Sequence, residues 1–280
     1  MWALRVGGRS RRGGRPRMGG IAAACLAIAF ASLGFARSAQ AETEVDVALV
    51  LAVDISFSMD TDEQELQRAG FVEALRSPEV HEAINRGLIG QIAVTYFEWA
   101  GVADTHVIMP WTLIDGPESA MRFAEDLEFE RINRARRTSI SSAIEFGLDL
   151  LEESGVRALR RVIDVSGDGP NNEGRFVTVA RDRAIARGVT INGLPIMLKR
   201  PGYLDIHNLD EYYIDCVIGG PGAFVVPVRA PEEFIDAVRT KLVMEIAGLV
   251  PQQPLIRLAQ VDLPTDCLIG ERQWEHRNRF

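Results

Sequence analysis

Residues 47–53 are all apolar, with Val45 just upstream across Asp46. The run is short for a helix and rich in valine, which predicts a parallel strand buried on both faces. Beyond it the pattern switches to polar residues at every second position: Asp54, Ser56 and Ser58. A strand built this way delivers one carboxylate and two hydroxyls to its carboxyl end, where open α/β sheets bind ligands. Oxygen donors in that arrangement suit a hard cation such as Mg²⁺.

Downstream, Thr61 or Asp62, with Glu65 in the first turn, is expected to cap a helix. Its apolar face reads Leu66, Ala69, Gly70, Phe71, Val72 and Leu75, and residues 80–84 read as a short helical continuation. Residues 88–97 predict a second strand, 98–101 a turn, and 106–113 a third strand running antiparallel. Pro110 places that third strand at a sheet edge. Pro117 opens a helix with Ala120, Phe123, Ala124 and Leu127 inward. Residues 129–137, rich in arginine, read as a loop leading into a helix that buries Ile144, Leu148 and Leu151. Residues 162–165 form the next strand, although Asp164 interrupts it, and run into Ser166-Gly167-Asp168-Gly169. A helix over 174–187, a strand over 189–196, a short helix over 210–217, a strand over 223–228 and a helix over 231–248 follow. This alternation predicts an α/β fold: a doubly wound, mostly parallel sheet flanked by helices, with one antiparallel edge strand. Residues 249–280 show no clear period and read as a C-terminal extension.

The leader changes the charge balance. Arg5, Arg9, Arg11, Arg12, Arg15 and Arg17 precede an apolar stretch over 21–36, and Ala39-Gln40-Ala41 has the small-x-small pattern of a signal-peptidase site. Residues 1–41 are therefore expected to be a signal peptide, with Glu42 the mature N-terminus. That places the protein in the periplasm or outside the cell, with no membrane insertion after cleavage; retention of the leader as an anchor is the alternative. Without the leader, 24 basic residues face 39 acidic ones, a net charge of −15. Such a surface argues against nucleic acid or anionic lipid as partner. The two cysteines beyond the leader, Cys216 and Cys267, either pair and tie the tail to the domain or remain separate small core residues.

Two further oxygen-bearing residues fall where strands end or helices begin. Thr138 precedes a helix, and Asp168 follows the strand over 162–165. D-I-S-F-S at 54–58, T-S-I-S-S-A-I at 138–144 and S-G-D-G at 166–169 together resemble the von Willebrand factor A domain and its metal-ion-dependent adhesion site. The resemblance covers residues 44–248 and is closest to a bacterial secreted subgroup of unassigned function. It implies that Ser56, Ser58 and Thr138 ligate Mg²⁺ (or Mn²⁺) through hydroxyls, with Asp54 and Asp168 acting mostly through bound water. It also implies that an Asp or Glu carboxylate of a partner protein completes the shell. Phe57, Met59, Trp99 and the Asn171-Asn172 loop are the expected rim of the partner site. The segment 203–213, with His207, reads as a solvated connector.

A metal-dependent hydrolase using the same cation to activate water is the competing reading. The four histidines fall on no strand end beside Asp54 or Asp168, and no GxSxG, HExxH or P-loop is present. A glycine-rich dinucleotide turn is also missing after the first strand. A purely structural metal site is the third reading.

Overall fold

A computed structural model describes residues 42–199, 206–249 and 265–277. The expected signal peptide, residues 1–41, lies outside them, as does Tyr203. Among the described residues no helix is long and apolar enough to cross a membrane. Among the described residues five strands form one sheet in the order β3-β2-β1-β4-β5. They are β1 (Thr43–Asp54), β2 (Ile92–Trp99), β3 (Thr105–Ile114), β4 (Val156–Gly167) and β5 (Val189–Pro195). β1 lies in the middle, parallel to β2 and to β4; β4 is parallel to β5, and β3 is antiparallel to β2 at the edge.

The chain leaves β1 toward β2 and β3, then returns to place β4 on the other side. The carboxyl ends of β1 and β4 therefore flank a topological switch point, the usual ligand crevice of such sheets. Both faces of β1 are covered, which is why its run is continuously apolar. Val47, Leu49, Leu51 and Val53 join one core with Phe71, Phe123 and Phe234. Ala48, Val50 and Ala52 face the other, with Ile144, Leu148 and Val177.

The first layer holds α1 (Thr61–Arg76), α2 (Pro78–Asn85), α3 (Pro117–Phe129) and α7 (Phe234–Ala247). The second holds α4 (Ile140–Glu152), α5 (Val177–Ala186) and α6 (Leu209–Tyr212), which continues as a π turn over Tyr213–Val217. Asp60, not Thr61 or Asp62, caps α1, because the reciprocal acid three residues into the helix is Glu63. Ala69 is exposed; polar Gln64, Gln67 and Arg68 are buried on that helix instead. Arg68 is held by Glu98 at 2.6 Å and by the Leu127 carbonyl at 2.8 Å.

Four strand boundaries differ from the sequence pattern for identifiable reasons. β2 starts at Ile92, because the Asp46 carboxylate gathers the N–H groups of Ile89 and Gly90 and Gly90 turns the chain at φ 83°. It then continues through Glu98 and Trp99, which pair with His106 and Thr105. β4 begins six residues early at Val156, its arginines reaching out from a strand already paired with β1. Residues 223–228 make only isolated bridges to β5 and its end, since Pro227 has no N–H for a ladder. The C-terminal extension contains a helix, α8 (Ile269–Arg277). Cys216 and Cys267 form a disulfide that fastens this segment to the π turn, with a Cα–Cα distance of 5.5 Å.

Candidate metal centre

Asp54 is the last residue of β1 and is fully buried. Its Oδ1 accepts the Ser56 N–H at 2.7 Å, which folds the following loop back over the strand end. The hydroxyls of Ser56 and Ser58 lie 2.8 Å apart, and Ser58 Oγ donates to Asp168 Oδ1 at 2.6 Å. Four of the five expected site residues are thus joined in one hydrogen-bonded chain, whose Ser58–Asp168 link spans 110 positions of sequence. Thr138 reaches the same place from the loop before α4. Its N–H donates to Asn172 Oδ1 at 3.0 Å, its carbonyl accepts from Asn172 N–H at 2.8 Å, and it lines one groove with Ser56 and Ser58.

The loops are fixed by backbone bonds. Ile55 N–H donates to Trp99 O, Phe57 N–H to Ala135 O, and Ala135 N–H to Ile55 O. This zips the 130–139 loop alongside residues 55–57. Arg137 then takes φ 78°, the left-handed region that a non-glycine residue seldom adopts. Such backbone persists where its surroundings determine it, and here it sits immediately before Thr138. Capping duties fall to other residues: Asp60 on α1, and Ser139 on α4, whose Oγ accepts from Ser142 N–H. Helix capping therefore does not account for Asp54, Ser58 or Thr138.

The electrostatics favour a cation. Asp54 Oδ2 is buried with no hydrogen-bond partner. Burial, and next the negative charge of Asp168, push the Asp54 carboxyl well above its ordinary value. An unpartnered buried carboxylate oxygen beside a second carboxylate is costly unless positive charge joins it. Among the described residues no three His, Cys, Asp or Glu side chains gather. The donors are hydroxyl and carboxylate oxygens, the set that Mg²⁺ and similar hard cations take. These residues fit the group that the sequence implied.

The expected rim is corrected in part. Phe57 is half exposed, its ring beneath the guanidinium groups of Arg134 and Arg136. Met59, Trp99 and Asn171 are buried completely. Met59 belongs to the α1-side core and Trp99 to the opposite one. Asn171 is an internal staple: its Oδ1 accepts from Ser141 N–H, and its Nδ2 donates to Arg175 O and to Glu271 Oε1. The 203–213 connector is also corrected at its described end. Tyr212 and Tyr213 are buried, and the Tyr212 hydroxyl accepts the Asn171 N–H at 3.2 Å. His207 lines a pocket of about 240 Å³ together with Ser58, Asp168, Lys199 and Arg229. Sequence patterning missed Trp274 and Arg277 of α8, which line the groove over the site. Their one advance signal was Cys267, seven residues before Trp274.

A mostly parallel sheet with β1 at its switch point, and the D-x-S-x-S loop, Thr138 and Asp168 converging above it, give this chain the fold of von Willebrand factor A domains. Solved structures share the fold. Proximal thread matrix protein 1 from the mussel byssus, in a form described as having a zinc-occupied MIDAS motif, superposes with a TM-score of 0.52 at 17% identity, over 74% of this chain and 49% of its own. The pilus adhesin SpaC from Lactobacillus rhamnosus GG gives 0.52 at 13% identity, over 74% and 30%. A von Willebrand factor type A protein from Catenulispora acidiphila gives 0.50 at 13%, over 72% and 43%. This chain covers half or less of each of those chains, and at such identities the likeness is one of fold. Residues 44–250 match the family described as "Protein of unknown function (DUF1194)", and the chain belongs to that family. No curated protein matches it.

Proposed function

We propose that this protein is a divalent-cation-dependent protein-binding module of the cell envelope, exported to the periplasm or secreted through cleavage of residues 1–41. Ser56, Ser58 and Thr138 hold Mg²⁺ or Mn²⁺ through their hydroxyls, while Asp54 and Asp168 supply the negative charge. An Asp or Glu carboxylate of a partner protein completes the cation's shell. The observation that carries this reading is the hydrogen-bonded chain from Asp168 through Ser58 and Ser56 to Asp54, whose Oδ2 is buried with no hydrogen-bond partner. Hydroxyls neutralise none of a cation's charge, and carboxylates that act through bound water screen it only in part, so the cation stays attractive to a further anion. The mussel and Lactobacillus structures, named for a matrix protein and an adhesin, are consistent with a binding role.

Calorimetric titration of Mg²⁺ and Mn²⁺ into metal-stripped protein tests the site. Saturable binding is expected in the wild type and its loss in Thr138→Ala, with the melting temperature of the cation-free variant unchanged. Equal binding by both proteins would remove Thr138 from the site. A cation that raises the melting temperature of wild type but never alters capture of any partner would leave a structural role alone.

One observation favours the hydrolytic alternative: His207 shares a pocket with Ser58 and Asp168. A histidine beside a cation is positioned to serve as a base toward bound water. Turnover of phosphate or carboxylate esters that is lost on chelation and in His207→Ala would establish that chemistry. Its absence in cation-loaded protein leaves the binding role.

A further inference from the structure

The groove above the metal centre has a composition opposite to that of the molecule as a whole. It holds about 660 Å³ and runs between the 55–58 loop and α8. Arg136, Arg137 and Arg277 line it, along with Phe57, Trp274 and Gln273; among the described residues that line it there is no acid. The chain outside residues 1–41 carries a net charge of −15, so three arginines around one opening are a local reversal of sign.

The arrangement of those arginines restricts what fits. Arg134 and Arg136 lie over the Phe57 ring at 5.0 and 5.9 Å, and Arg137 and Arg277 lie over Trp274 at 3.8 and 5.2 Å. Guanidinium groups thus lie against both aromatic rings of the groove. A stacked guanidinium keeps its N–H edges available, and those edges match carboxylates in paired hydrogen bonds. Arg137 has one loose acidic neighbour, Glu173, at 3.9 Å.

The wall that supplies Trp274 and Arg277 is fastened in three ways. The Cys216–Cys267 disulfide ties its start to the π turn, and Glu271 accepts from Asn171 Nδ2 at 2.8 Å. Gly270 lies so close to the Asn171 carbonyl that a Cβ would fall 2.1 Å from it. The helix is therefore a built side of the groove.

We propose that this arginine-lined groove is the reading surface for an acidic polypeptide segment with several Asp or Glu residues. One carboxylate completes the cation's shell and the others pair with Arg136, Arg137 and Arg277. The first half of that statement rests on the metal-dependent reading given above; the second rests on the groove alone. Local positive charge on an acidic protein steers such a segment to this face and repels it elsewhere.

Fluorescence anisotropy with two labelled peptides tests it: one alternating Gly and Glu with three Glu, and one in which two of those Glu are Gln. In Mg²⁺ the three-Glu peptide is expected to bind about tenfold more tightly, with the gap closing in Arg136→Ala combined with Arg277→Ala. That variant's circular dichroism and melting temperature serve as the folding control. Equal affinity of the two peptides, or no binding by either, overturns the groove. So does an undiminished gap in the folded double variant. Polygalacturonate displacing the peptide at lower carboxylate concentration would overturn the choice of a polypeptide. The two readings fail separately. Binding that survives chelation yet weakens in the arginine variant keeps the groove and removes the metal. Chelator-sensitive binding blind to the arginines does the reverse.

Discussion

At the scale of single residues, the close approach of β4 to Asp54 decides how the site is held. Gly167 ends β4, and a Cβ there would lie 2.8 Å from Asp54 Oδ2 and 3.0 Å from the Tyr213 hydroxyl oxygen. Both neighbours are buried, so neither has room to withdraw. Gly167→Ala is expected to cost about 1–3 kcal/mol of stability, as overpacking of a tight interior does. It should also weaken Mg²⁺ binding by displacing the Asp54 carboxylate. Urea unfolding and calorimetry check the two effects, and unchanged values in both would mean that the carboxylate has a second place to go. Asp54, Ser56 and Ser58 were legible because a strand's period of two puts them at its end in a recognisable order. Thr138 and Asp168 fall at a helix start and a strand end, but their grouping with the first three came only through resemblance. Thr138 is brought in by Asn172 and Asp168 by the Ser58 hydroxyl, bonds between positions far apart in sequence. Met59 and Trp99 were misplaced because an apolar residue near a loop reads alike as rim or core. Burial depends on which helix closes over it.

At the scale of elements, the apolar runs identified β1 and the inner face of α3, whereas charged residues concealed β4. Its Arg157, Arg160 and Arg161 hid the first half. Arg160 donates to the carbonyls of Glu245 and Ile246, both at 2.6 Å, which satisfies the C-terminal end of α7. Asp164 interrupts the strand because it faces Lys241 of α7 at 2.6 Å, and Lys241 also pairs with Glu245. All three are buried, so two carboxylates share one ammonium group between β4 and α7. Burial, then the charge of Asp164, raise Glu245 from 4.5 to about 7. The folded protein thus retains a proton that the unfolded chain releases between those values. This group favours the fold fully below its unfolded value, and that contribution is lost as pH rises through about 7. Glu245→Gln is expected to match wild type below about pH 4, where the side chain is neutral in the folded and the unfolded chain alike, and to exceed it by up to about 3 kcal/mol near about pH 8. Denaturant titrations of the pair across that range measure the difference. A variant less stable than wild type at the alkaline end would mean that the Lys241–Glu245 attraction outweighs the burial of the second charge.

At the scale of the whole molecule, the sheet and its two helical layers account for residues 44–248, yet the groove over the site is incomplete without the segment beyond them. α8 has few apolar residues, and among its own only Gly270 is fully buried, so its sequence gives no helical face to read. What places it is covalent: the Cys216–Cys267 bond spans 51 positions. Cross-linking a loop of that length stabilises a fold by about 2–4 kcal/mol, chiefly through the unfolded chain. Cys216→Ala combined with Cys267→Ala is therefore expected to lower the melting temperature while leaving the strand order intact, because no sheet contact depends on the bond. Trp274 reports the local effect. Stacked by Arg137 and Arg277 in the native protein, its ring gains water when α8 loosens, and its emission should move to longer wavelength. The five residues of the candidate metal centre lie at the end of β1 and in the loop after it, on the 130–139 loop and after β4, so Mg²⁺ affinity should change little. Affinity for the three-Glu peptide should fall toward that of the one-Glu peptide, as the groove loses one wall. Loss of Mg²⁺ binding on reduction would instead show that α8 supports the metal loops through Asn171. Retention of native Trp274 emission would show that Gly270 and the Glu271–Asn171 bond hold the helix without the disulfide.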